Sequence, residues 1–166
     1  MNIVAKLIEE FDPQHPTFRS TAIYNEGWLL RCLLYHFSKA EVSHFPLTFH
    51  SDSSWVSEAI LPTAFKAEKR GDESAETGTN ADGVIGHFRF RDGTKAGFEL
   101  LSDAKQFVVI EAKINSSLSG RTKNAKNFDQ AAGSVACMAE VLKRANIPPA
   151  RIEQIAFIVL APAIKD

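Results

Sequence analysis

No stretch of the chain is apolar for long enough to span a membrane. Its first ten residues, from Met1 to Glu10, are amphipathic and charged, unlike a secretory signal. Two cysteines, Cys32 and Cys137, exclude a disulfide scaffold. Both sit in apolar, helix-like segments and read as buried free thiols, in keeping with a reducing cytoplasm. The five histidines are scattered, and no Cys/His cluster has zinc spacing. The G-x-S-x-G, P-loop and G-x-G-x-x-G motifs are missing, and there is no internal repeat. Neither sign of charge dominates: 19 Lys and Arg stand against 20 Asp and Glu, a net charge of −1. That balance excludes a protein that coats nucleic acid through bulk charge, while leaving room for a local basic patch.

What is present is 166 residues, 45% apolar and 23% charged, which reads as one globular domain over 1–166. Ile3, Leu7, Ile8 and Phe11 have helical spacing and predict a short opening helix. A stronger helix is predicted from Glu26 to about Ala40, with Asn25 as its cap and Leu29, Leu30, Leu33, Leu34 and Phe37 as its apolar stripe. Ser51 to Ser54 read as the cap of a short helix through Trp55, Val56 and Ile60. Residues 67–80 are nearly free of large apolar side chains and read as a solvated, mobile loop. The period then changes to two. Val84–Arg91 predicts a strand, Asp92-Gly93 a hairpin turn, Lys95–Leu101 the return, and Phe107–Ile114 a third strand of one antiparallel meander. A long helix follows from near Asn127, with Phe128, Ala131, Ala132, Val135, Ala139 and Leu142 as its expected buried stripe, and Pro148-Pro149 stops it. The run Ile155–Leu160 predicts a buried strand that can pair in parallel with a meander strand after the helical crossover.

The anomaly is Glu111 and Lys113 in the most apolar strand. Residues two apart on a strand share a face, so a carboxylate and an ammonium stand together where burial is costly unless the charges are paired or bind a metal. A plain ion pair at the sheet edge is the alternative. Asp82 lies before the first meander strand, in the turn-like Asn80-Ala81-Asp82-Gly83. If sheet order follows chain order, the second strand separates Asp82 from Glu111. Glu26 and Gln130 open the two helices, where helix-dipole complementarity and solvation would also explain them. Glu99 reads as an exposed strand residue rather than a further ligand.

Asp82, followed by Glu111-Ala112-Lys113 closing an apolar strand, resembles the PD-(D/E)xK nuclease superfamily, the restriction-endonuclease-like fold. Glu26 and Gln130 are similar in placement to the helical glutamate and glutamine of its RecB-type and Holliday-junction-resolvase-type members. The resemblance covers roughly residues 20–161. It departs at Ala81, where a proline is common, and at Ser134, where RecB-type members often carry a tyrosine.

The resemblance implies an α/β fold with an αβββαβ core, a mixed central sheet flanked by helices. It implies metal-dependent hydrolysis of phosphodiester bonds, in DNA before RNA. Asp82, Glu111 and the Ala112 carbonyl would hold Mg²⁺, with Mn²⁺ as substitute. Lys113 would orient the attacking water or stabilise the transition state. Glu26 would hold a metal-bound water or a second metal, and Gln130 would position Lys113 or a phosphate. Arg121, Lys123 and Lys126, in the loop after the E-x-K strand, are the expected nucleic-acid contacts, with Arg89 and Arg91 as possible additions. A homodimer is expected for cutting both strands, and the length leaves room for an excised catalytic domain. The alternative is an inactive domain of this fold that binds nucleic acid or a partner protein.

Overall fold

The computed structural model describes residues 25–39, 46–70, 72, 75, 78–94, 96–113, 118 and 129–161. The elements are α1 (Glu26–Lys39), β1 (Ser54–Leu61), β2 (Thr79–Gly86), β3 (Phe88–Phe90), β4 (Phe98–Leu100), β5 (Gln106–Ala112), α2 (Gln130–Ala145), a short 3₁₀ turn (Pro149–Arg151) and β6 (Gln154–Leu160). The expected opening helix over residues 3–11 lies outside the described residues.

The protein is mixed α/β. Four strands form one mixed sheet in the order β1-β2-β5-β6. β1 and β5 each pair antiparallel with β2, and β6 pairs parallel with β5. The parallel pair is joined by α2, as a crossover requires. β3 and β4 form a separate two-stranded sheet.

Three expectations change here. The predicted helix around Trp55 is strand β1, because that segment finds an extended partner in β2, with Trp55 opposite Ile85. The predicted strand over 84–91 is two strands broken at His87, and Asp82 lies inside β2 rather than in a turn. The three-stranded meander is built from β1, β2 and β5, while the Asp92-Gly93 hairpin is an excursion from it. Gly86 makes the break possible. A Cβ there would lie 2.3 Å from the Gln106 carbonyl oxygen, so only glycine lets β2 and β5 approach so closely before the chain turns away.

Each face of the sheet has its own core. Leu30 and Leu34 of α1 pack with Ile85, Val108, Ile110 and Ala112 on one face. Cys137, Met138, Val141 and Leu142 of α2 pack with Val84, Phe107 and Val109 on the other. Asn25 caps α1 as expected, its Oδ1 accepting from Trp28 N at 2.8 Å. On α2 the buried stripe is Gly133, Ser134, Cys137, Met138, Val141 and Leu142, one position round from the expected one, with Val135 50% exposed. The phase is ambiguous in sequence because small apolar residues lie on all sides of this helix. Its N-cap is Asp129, whose Oδ1 accepts from Ala132 N at 2.7 Å. Cys137 is buried, but Cys32 is exposed on the solvent side of α1, contrary to the expected buried thiol. Among the described residues, no helix is long and apolar enough to cross a membrane.

Candidate functional site

The site stands where β2 and β5 leave one another. Their ladder is registered from Gly86 opposite Phe107 to Gly83 opposite Ile110. One further step sets Asp82 opposite Glu111 on the same face. The strand expected to separate them belongs to the β3–β4 excursion, so the two carboxylates are cross-strand neighbours. In place of the next ladder bond, Ala112 N donates to Asp82 Oδ2 at 2.8 Å.

Gly83 lets α1 close over this corner. A Cβ there would stand 3.1 Å from Leu30 Cδ2 and 3.3 Å from Leu34 Cδ1. The packing brings the start of α1, with Glu26, toward the ends of β2 and β5.

Glu111 is only 4% exposed and is the one buried charged side chain among the described residues. Lys113 Nζ meets Glu111 Oε1 at 2.6 Å, and the Gln130 amide donates to the same oxygen. Asp82 and Glu111 therefore each commit one oxygen to the protein, and Asp82 Oδ1 and Glu111 Oε2 have no hydrogen-bond partner among the described residues.

Electrostatics mark the same cluster. Burial pushes the Glu111 carboxyl above its ordinary value, and the neighbouring Asp82 charge adds to this, while the Lys113 and Gln130 hydrogen bonds pull it down. Lys113 is raised, first by its hydrogen bond to Glu111 and further by the charges of Glu111, Asp82 and Glu26. Among the described residues, three carboxylates thus act on one ammonium. The donors it offers, carboxylate oxygens beside a strand-end carbonyl, are the hard kind that Mg²⁺ and Mn²⁺ take. Among the described residues, no group of three or more His, Cys, Asp or Glu side chains is arranged as a metal cage.

The other expected residues divide. Arg121, Lys123 and Lys126 lie outside the described residues. Arg89 sits in the separate β3–β4 sheet, where its Nε and Nη2 both engage Glu99 Oε1, at 2.6 and 2.5 Å. That ion pair fixes Glu99 as a half-exposed strand residue, as expected, and gives Arg89 a local role. Arg91 lines a shallow cleft with Arg144 and Phe98 near the far end of α2 from Gln130.

Sequence reasoning missed Glu58. It lies opposite Asp82 in the β1–β2 register, where the ladder skips a pair, and its φ of 57° is left-handed, uncommon for a non-glycine residue. Its carboxylate stands 3.7 Å from Arg31 of α1, whose Nε donates to Ser57 Oγ at 2.8 Å. No sequence signal would have found it, because the segment carries no clean alternation.

No family model, no curated protein and no solved structure matches this chain.

Proposed function

We propose that this protein is a divalent-cation-dependent nuclease that hydrolyses phosphodiester bonds in DNA, built on a restriction-endonuclease-like core. The observation that carries the proposal is the Asp82–Glu111–Lys113 cluster, with Asp82 Oδ2 on Ala112 N at 2.8 Å and Lys113 Nζ on Glu111 at 2.6 Å. The order of core elements also supports it. With the β3–β4 hairpin set aside, the chain runs α1, β1, β2, β5, α2, β6, an αβββαβ order.

In this reading Asp82, Glu111 and the Ala112 carbonyl hold the cation. When bound, it supplies Lewis acidity to the scissile phosphate and lowers the pKa of an attacking water. Gln130 holds Glu111 in place from the first turn of α2. Lys113 is kept charged by the carboxylates around it and neutralises charge that develops on the phosphate. Glu26 contributes to that field, and in this reading it holds a water of the site. Arg121, Lys123 and Lys126, which follow Lys113 in the sequence, contact the backbone of the nucleic acid.

The test is cleavage of supercoiled, linear and single-stranded DNA with Mg²⁺ or Mn²⁺. Wild type cuts at least one substrate, and Asp82→Asn and Lys113→Ala do not. Retention of DNA without cutting under every condition would instead favour the inactive, binding-only alternative.

A further inference from the structure

The four-stranded sheet has two outer edges, and it treats them differently. At β1 the left-handed Glu58 distorts the strand and places a charge on it. The hairpin region covers part of the same edge, as Ile60 N donates to Ala96 O at 3.0 Å and Ile60 bridges Gly97. These are the devices by which natural sheets keep an edge from pairing. Among the described residues, β6 has none of them. Its sequence, Gln154-Ile155-Ala156-Phe157-Ile158-Val159-Leu160, contains no charge, no proline and no glycine.

The direction of each backbone group on β6 follows from two hydrogen bonds. Gln154 N donates to Lys105 O at 3.0 Å, and Leu160 O accepts from Lys113 N at 2.8 Å. Both therefore face β5, and by strand alternation so do the groups of Ala156 and Ile158. The N–H and C=O groups of Ile155, Phe157 and Val159 point the other way, and none of these residues has a hydrogen bond on that side among the described residues. Ile155 is 41% exposed and Val159 40%, while Phe157 between them packs on the α2 core.

We propose that β6 is the pairing edge of a two-fold homodimer, in which it meets the β6 of a second copy antiparallel with Phe157 on the axis. What the edge offers is a row of unpaired amides, so its occupant is an extended strand. A second copy fits because the outward-facing residues are symmetric about Phe157. Antiparallel pairing sets Ile155 opposite the partner's Val159, and Val159 opposite the partner's Ile155. Each of these residues then exchanges both an N–H and a C=O with the one facing it. The half-exposed β-branched side chain at each of these positions then covers the one facing it across the axis. The edge carries no charge to repel a copy of itself. Glu153, just before it, is already engaged by Lys105 at 2.7 Å and His50 at 3.0 Å. Because the β1 edge is blunted, the assembly closes at two chains.

Sedimentation equilibrium of the full chain, with amide hydrogen exchange, tests this. Wild type sediments at twice the 18.3 kDa chain mass, and the amides of Ile155, Phe157 and Val159 are protected. Ile155→Pro removes an outward N–H without touching a β5 bond, and Val159→Lys puts a charge on the edge. Both halve the mass and unmask the remaining outward amides, while the circular dichroism stays that of wild type. Should the proline variant fail to fold, the lysine variant decides alone. Wild type that stays monomeric, a dimer that survives Val159→Lys, outward amides that exchange freely in the dimer, or assembly beyond two chains each overturns the proposal.

Discussion

Strand β5 buries a polar side chain near each end, and the two ends solve the problem in opposite ways. At its start Gln106 is fully buried. Its Nε2 donates to Thr48 O and to Gln154 Oε1, both at 2.7 Å, and its Oε1 accepts from His50 N at 3.1 Å. Beside it, His87 Nδ1 accepts from Lys105 N and Gln106 N, and His87 Nε2 donates to Ser51 O at 2.9 Å. That end is neutral, and the hydrogen-bonding capacity of the Gln106 amide is used inside the protein. At the other end Glu111 is an ionisable group flanked by Asp82, its pKa raised by burial, and it keeps one oxygen uncommitted. A satisfied neutral network holds a fold together. A buried cluster with excess charge of one sign costs stability and persists when a ligand of the opposite sign makes use of it. The first end builds the protein, and the second is the end at which we propose that it acts.

Substitutions at the two ends of β5 are expected to differ most in their effect on activity. Asp82→Asn keeps an acceptor for Ala112 N but weakens the cation site, and Lys113→Ala removes the ammonium. Since a bound metal is worth several kcal/mol in such a reaction, cleavage falls at least about a thousandfold with Asp82→Asn, while the melting temperature holds or rises. The opposite profile belongs to Gln106→Leu. It leaves the Thr48 carbonyl and the His50 amide without their partner, removes one of the two donors to Gln154 Oε1, and costs about 3 kcal/mol or more, read by urea unfolding.

A subtler difference lies in pH. Burial raises the Glu111 pKa in the folded state, so its contribution to stability is complete below the unfolded value of 4.5 and is lost as pH rises through the folded one. In the absence of divalent cations, unfolding free energy of wild type relative to Glu111→Gln therefore declines as pH rises from 4.5 through the folded value, and Mg²⁺ reverses the decline. Gln106 cannot titrate, and its end of the strand shows no such slope. The smallest effect is expected at Glu99, whose ion pair with Arg89 is largely solvent-exposed. Glu99→Ala changes stability by less than about 1 kcal/mol, with DNA cleavage unchanged.

How far these two ends were legible in the sequence follows from the physics of each. Glu111 and Lys113 stand out because charges in an apolar strand demand an explanation, and α1 announces itself through the Asn25 cap and its leucine stripe. Gln106 was missed, since a lone glutamine before an apolar run looks like a surface residue until Thr48, His50 and Gln154 are brought around it. The adjacency of Asp82 to Glu111 was beyond local reading as well. It depends on the Asp92-Gly93 hairpin leaving the main sheet, which hinges on the missing Cβ of Gly86 at the Gln106 carbonyl. β1 was hidden because Trp55, Val56 and Ile60 fit either period, and Glu58 disrupts the ladder that would have favoured a strand.

The most direct measurement of the central claim is Mn²⁺ binding, followed by calorimetry or electron paramagnetic resonance on the full chain without DNA. Wild type binds the ion, Asp82→Asn and Glu111→Gln bind it at least about tenfold more weakly, and Gln106→Leu, where folded, binds it as wild type does. Wild type that binds no Mn²⁺, or carboxylate variants that bind it undiminished, would contradict the account.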